Sequence, residues 1–267
     1  MSLVKRFFID KADCSVYDSR WAMGEAAAEL TASIIVKLQQ EQDEVNLLMS
    51  VGQSQHTMLD ALLGYAAIDW RKVNIFHVDE KLTLAGDNPL SGQQRLLKFM
   101  KRVPFKAGYF FNALAEDQDA ECARYAKLLE EHPIDIVFIG IGDDGHLAFC
   151  EPGWAKFDDP RAVAIAPLNE LTLLQNLRSG SYARIEDVPK EGYTVTLPAL
   201  MKAKYKISCS PFKEKANACY HVLFDPVSED YPASILRTTE NAHLFFDPYS
   251  AQLFPDIDWN LSESKKK

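Results

Sequence analysis

The sequence predicts an α/β protein: a doubly wound, mostly parallel sheet in a Rossmann-like, three-layer α/β/α arrangement. Three observations carry this expectation. Short apolar runs alternate with amphipathic stretches almost from end to end of the 267 residues. Strands separated by helices of about 10–20 residues build right-handed βαβ units, whose strands lie parallel. Finally, residues 135–152 pass from an uninterrupted apolar strand into a glycine-hinged turn, as expected of a strand covered on both faces.

In chain order, Leu3-Val-Lys-Arg-Phe-Phe-Ile reads as a strand over 3–9, and the alanine- and leucine-rich stretch 18–40 as a helix. Val45-Asn-Leu-Leu-Met heads a strand over 45–51, followed by an apolar-periodic helix over 56–67. The same alternation gives a strand at 73–78, a helix at 89–102, a strand at 108–111, a helix at 116–131 and the apolar strand 135–141. Beyond the turn come a strand 162–166, a helix 168–183, strands 192–197 and 204–209, helices 211–223 and 231–237, and a last strand 242–246. One domain over 1–260 is expected, and 261–267, ending in three lysines, reads as a frayed tail.

Composition narrows the function. A hydrophobic content of 47% supports a large core. The net charge of −9 opposes nonspecific binding to nucleic acid or an anionic membrane, so any phosphate ligand must be held by local groups. Five cysteines without C-x-x-C spacing fit reduced thiols and a cytoplasmic protein. No run approaches the ~18 apolar residues of a membrane span, and the first ten residues resemble a strand rather than a signal peptide.

The glycine-hinged turn presents Asp144, His146 and Glu151 together, at the strand edge where open α/β sheets bind ligands. Three titratable groups in eight positions suggest acid–base work. Gly140, Gly142 and Gly145 also spell a dinucleotide fingerprint, but Asp143 and Asp144 would face the pyrophosphate, and Pro152 interrupts the following helix. A metal site lacks a second histidine at helical or turn spacing, so no metal and no cofactor are expected. Two further strand ends align with this turn. Gly52-Gln53-Ser54 precedes a helix whose N-terminus would attract a phosphate, with an ordinary capped helix as the alternative. His77-Val78-Asp79-Glu80-Lys81 closes the strand at 73–78.

Together these segments resemble the glucosamine-6-phosphate deaminase/isomerase family, which shares its fold with the 6-phosphogluconolactonases. The strongest match is Asp144-Gly-His-Leu-Ala-Phe-Cys-Glu-Pro152; its Glu151-Pro152 favours deaminase over lactonase. Val78-Asp79-Glu80 is similar to the family's Met-Asp-Glu, and Asn88-Pro89-Leu90-Ser91 to its His-Pro-x-Ser. Val188-Pro189-Lys190 and Tyr193-Thr194-Val195-Thr196 resemble the stretch beyond its mobile lid. The chain departs at Gln53 and Gln55 in the phosphate turn and at Lys81, Asp143 and Cys150. The resemblance implies a sugar-phosphate substrate, with Asp79, Asp144, His146 and Glu151 as catalytic groups. Gly52, Gln53, Ser54, Glu80, Arg178 and Lys213 would bind substrate or phosphate. It implies deamination of an aminosugar 6-phosphate with aldose–ketose isomerisation, His146 serving the ring oxygen and Asp79 the C2 proton, with closure of 153–186 excluding water. A 6-phosphogluconolactonase is the alternative enzyme, and a sugar-phosphate sensor the alternative of another class. Such a regulator would carry about 60 residues of helix-turn-helix ahead of the first strand. A homo-oligomer is compatible with the sequence.

Overall fold

A computed structural model describes residues 2–257; the expected tail at 261–267 lies outside them. The chain opens with an antiparallel hairpin, β1 (Leu3–Ile9) and β2 (Ala12–Tyr17), then α1 (Arg20–Glu41), whose Ser19 hydroxyl accepts the Ala22 N–H at 3.2 Å. There follow β3 (Val45–Met49), α2 (His56–Leu62), β4 (Val73–His77), β5 (Asp79–Lys81), α3 (Gly92–Met100), β6 (Ala107–Tyr109), α4 (Gln118–Glu131) and β7 (Ile136–Ile139). The second half adds β8 (Val163–Pro167), α5 (Glu170–Arg178), β9 (Glu191–Val195), α6 (Leu197–Met201), β10 (Tyr205–Ser210), α7 (Ala216–Phe224) and β11 (Ala242–Phe246).

Eight strands form the main sheet in the order β1-β2-β11-β10-β7-β3-β4-β6, parallel except for the β1–β2 pair. Strand β7 is central, and its alternation divides the core. Ile136 and Phe138 face one cluster with Met23 of α1, Leu59 of α2 and Leu96 of α3. Val137 and Ile139 face the other, with Tyr125 of α4, Leu200 of α6 and Val222 of α7. All four β7 side chains are fully buried. Each such burial contributes about 1.5–3 kcal/mol, which explains why this strand reads as continuous apolar sequence rather than alternating.

The sequence reading differs from the structure in several elements. Strands at 162–166 and 192–197 were expected in the parallel sheet; instead β8 and β9 pair antiparallel with each other and with the short β5 in a separate three-stranded sheet. The sequence reading has no strand at 12–17, because Asp10, directly after β1, turns the chain in a left-handed conformation (φ 50°) and leaves only a two-residue hairpin loop. The expected helix at 168–183 stops at Arg178. The one at 89–102 starts at Gly92, since Pro89 disfavours helix in the residue before it and Ser91 supplies the cap. Residues 211–215 are a turn and a 3₁₀ segment ahead of α7, and Pro232–Thr238 is a 3₁₀ run rather than an α-helix.

Candidate active site

The carboxyl ends of β3, β4, β7 and β10 converge on one edge, and the chain crossings hold them there. Ser50 N–H donates to the Phe138 carbonyl at 2.9 Å, and Ile141 N–H to the Ser210 hydroxyl at 3.2 Å. Val78 links the two sheets: its N–H donates to the Met49 carbonyl, and its own carbonyl accepts from Val195.

After β7 the chain turns at Gly142 and at Gly145 (φ 86°), and His146 folds back over the turn. A Cβ at Gly142 would fall 2.2–2.4 Å from the imidazole ring, so the ring occupies the space that any other residue's side chain would take. His146 Nδ1 meets Asp144 Oδ1 at 2.6 Å, and that same oxygen accepts the His146 backbone N–H at 3.1 Å. Burial works to raise the Asp144 carboxyl, but the hydrogen bond and charge of His146, helped by Asn169, hold it well below the usual carboxylate range. An ionised Asp144 only accepts, so Nδ1 carries the proton and Nε2 is left to exchange one with a ligand.

Glu151 reaches this pair indirectly. Its Oε2 accepts the Asn169 N–H at 2.5 Å, while Asn169 Nδ2 donates to Asp144 Oδ2 at 2.7 Å. Burial raises the Glu151 carboxyl above its ordinary value, and Oε1 is buried without a hydrogen-bond partner among the described residues. The sequence reading set Asp144 and Glu151 on either side of His146. The structure has Asp144 on the ring and Glu151 behind it, acting through Asn169 at the start of α5.

Asp79 stands opposite, at the start of β5. It pairs in register with Thr194 of β9, whose hydroxyl accepts the Phe149 N–H at 3.1 Å, so β9 fixes Asp79 relative to the His146 turn. Burial pushes the Asp79 carboxyl up to about 6 against the pull of Lys81, Arg95 and His146. Glu80 points elsewhere. Its carboxylate accepts N–H groups from Gly92 (2.8 Å), Gln93 (3.0 Å) and Lys81 (3.1 Å), and so caps the start of α3. Burial nonetheless raises it to about 6, with the Gly92 and Gln93 N–H groups opposing the shift. His77 is fully buried and its Nε2 accepts the Phe111 N–H at 2.8 Å; burial depresses it to about 3, so it is a neutral core residue.

The Gly52–Ser54 turn abuts β7: a Cβ at Gly140 would lie 2.5 Å from Ser54 Oγ. Gln55 is buried and donates to the Cys209 carbonyl at 3.1 Å, bracing the turn from β10, while Gln53 faces outward beside a cavity of about 320 Å³ shared with Arg20, His56 and Phe212. Two of the expected phosphate-binding cations stand in the open. Arg178 and Lys213 are exposed, Lys213 at the start of its 3₁₀ turn and Arg178 at the end of α5. Lys215 takes the inward position: its Nζ donates to the Ile141 carbonyl and lies 3.7 Å from Asp143 Oδ1. The turn that aims it is set by Phe212, a bulky residue at φ 88° whose N–H is held by the Asp247 carboxylate. Arg95 of α3, also unforeseen, donates to the Val51 carbonyl at 3.4 Å on the other side of the Gly52–Ser54 turn. Among the described residues no three His, Cys, Asp or Glu side chains group as metal ligands.

These features define a class: a doubly wound α/β protein with an acid–base cleft at the carboxyl edge of its sheet and cations flanking one turn. The model of the glucosamine-6-phosphate isomerase/6-phosphogluconolactonase family matches residues 18–245, and the chain belongs to that family. Glucosamine-6-phosphate deaminase from Listeria innocua is 35% identical over 213 residues, covering 79% of this chain and 88% of its own. The Streptococcus pyogenes serotype M49 deaminase is 38% identical over 189 residues, 69% and 77% of the two chains. Among solved structures, a monomeric glucosamine-6-phosphate deaminase superposes with a TM-score of 0.81 at 26% identity, covering 90% of this chain and 99% of the other. The 6-phosphogluconolactonase of Trypanosoma brucei shares the fold, with a TM-score of 0.75 at 18% identity over 90% and 98%.

Proposed function

We propose that the chain converts glucosamine 6-phosphate to fructose 6-phosphate and ammonia by acid–base catalysis. The observation that carries this reading is the opposition of Asp79, a carboxylate with proton affinity raised to about 6, to a His146 ring whose Nδ1 is fixed by Asp144. The names of the curated relatives support the choice of substrate.

His146 Nε2 exchanges a proton with the ring oxygen as the hemiacetal opens. Asp79 then takes the C2 proton while the C1 oxygen gains one, giving an enolamine with a C1–C2 double bond, and protonation of that enolamine at C1 leaves an imine at C2. Water adds there and ammonia departs as the C2 carbonyl forms. Electrons move only within the substrate and water, so the chemistry requires no redox partner. A base with proton affinity near 6 is mostly ionised at neutral pH yet stronger than a free aspartate.

The test supplies glucosamine 6-phosphate to the purified protein and measures both products, with 6-phosphogluconolactone hydrolysis assayed in parallel. Stoichiometric ammonia and fructose 6-phosphate are expected. Lactone hydrolysis without ammonia release would transfer the assignment to the lactonase branch.

A further inference from the structure

Two cations of the cleft, Lys81 and Arg95, both act on Asp79, yet neither forms an ion pair among the described residues. Lys81 is 7% exposed, and its Nζ donates to Asn176 Oδ1 of α5 at 2.6 Å and lies 5.4 Å from the centre of the Tyr182 ring. Arg95 is half-buried, spends one hydrogen bond on the Val51 carbonyl, and forms no ion pair among the described residues. Its guanidinium lies close enough to act on Asp79, Lys81, His56 and Tyr182 at once. Burial, and after it the charge of Arg95, depress Lys81 to about 8, with Asp79 and Glu80 each opposing the shift. Holding like charges together in a partly desolvated place costs free energy that an anion between them would recover.

The placement of Arg95 says which anion. The Gly52–Ser54 turn lies between Arg95, bonded to Val51 just ahead of it, and Lys215, bonded to Ile141 just beyond the Ser54–Gly140 contact. We infer that Arg95 is a specificity-determining residue that clamps the substrate's phosphate opposite Lys215. Taking the anion to be a sugar phosphate rests on the function proposed above. A guanidinium suits this place because it can keep its bond to the Val51 carbonyl while offering its other N–H groups to two phosphate oxygens.

Binding is measured by calorimetry with two probes, glucitol 6-phosphate, which cannot be turned over, and inorganic phosphate, on the parental protein, Arg95→Gln and Arg95→Lys. A clamp on the phosphate predicts that Arg95→Gln weakens both probes by a similar factor, on the order of 10- to 100-fold, and flattens the salt dependence of binding. Arg95→Lys should recover part of that loss, and it carries the test if Arg95→Gln does not fold. Parental affinity in both variants overturns the inference, as does weakening of glucitol 6-phosphate alone or failure of the parental protein to bind either probe. Ammonia release by the parental protein is read separately. Arg95-dependent phosphate binding without ammonia would sink the deaminase reading and leave the clamp standing, whereas ammonia release with Arg95-independent binding does the reverse.

Discussion

At the scale of single residues, the site depends on small exclusions of volume and on displaced proton equilibria, that of Asp79 foremost. The absent side chain at Gly142 leaves the room that His146 occupies. Gly142→Ala should fold but push the imidazole off Asp144, and misplacement of that size costs on the order of 10²-fold in kcat/KM. Steady-state kinetics on glucosamine 6-phosphate check this, and an unimpaired rate would mean the ring tolerates displacement. Asp79 gives a prediction in two observables. Its folded proton affinity, about 6, lies above that of a free aspartate, so its favourable contribution to stability is present below pH ~4 and lost as pH rises through 6. Asp79→Asn has no proton to lose, so relative to the parental protein it should gain about 1–3 kcal/mol in urea unfolding between pH 4 and pH 7 while losing the chemical step. On the parental protein, kcat/KM should fall on the acid side of pH 6. A variant with the same pH dependence of stability as the parent would show that Asp79 is not desolvated.

At the scale of elements, α3 is held at its start by two side chains. Ser91 Oγ accepts the Gln94 N–H at 3.0 Å, and the Glu80 carboxylate takes the Gly92 and Gln93 N–H groups. Since α3 carries Arg95, the Glu80 carboxylate sets where that guanidinium stands. Glu80→Ala should cost about 1–3 kcal/mol in unfolding free energy, because it leaves buried N–H groups unpaired. Glu80→Gln, which still accepts a hydrogen bond, should cost much less. Equal losses would mean that charge, not pairing, is what α3 needs. Helix α5 is tied to the cleft through Asn169 at one end and the Lys81–Asn176 bond further along, while most of its side chains remain partly exposed.

At the scale of the whole molecule, the parallel sheet and the small antiparallel sheet differ in how deeply they are covered. Strands β7 and β10 sit between two helical layers, whereas α5 has one buried side chain, Thr172. Amide exchange should therefore be faster in residues 170–178 than in β7 and β10 by several orders of magnitude, and a non-hydrolysable ligand such as glucitol 6-phosphate should slow it. Uniform protection across both regions would argue against α5 as the moving cover of the cleft.

The main parallel sheet was legible in the sequence because burial on both faces writes itself as continuous apolar strands, and 135–141 is the plainest case. The turn with Asp144, His146 and Glu151 was legible for a related reason: a short loop keeps sequence neighbours close in space, and Gly142 and Gly145 mark its bend. What tertiary structure decided were relations between segments distant in the chain. Lys213 and Lys215 are separated by roughly half a turn or more, so spacing alone does not say which one faces inward. That was settled by Phe212, held by Asp247 from the far end of the chain. Asp79 is tied to the His146 turn through β9, more than a hundred residues later, which pairs with β5 and accepts the Phe149 N–H, and the three-residue β5 has no periodicity to read. Sequence records the environment of each residue through its chemistry and its close neighbours. Which strand ends meet, and which cation fills the space between them, is fixed by packing that only the folded chain contains.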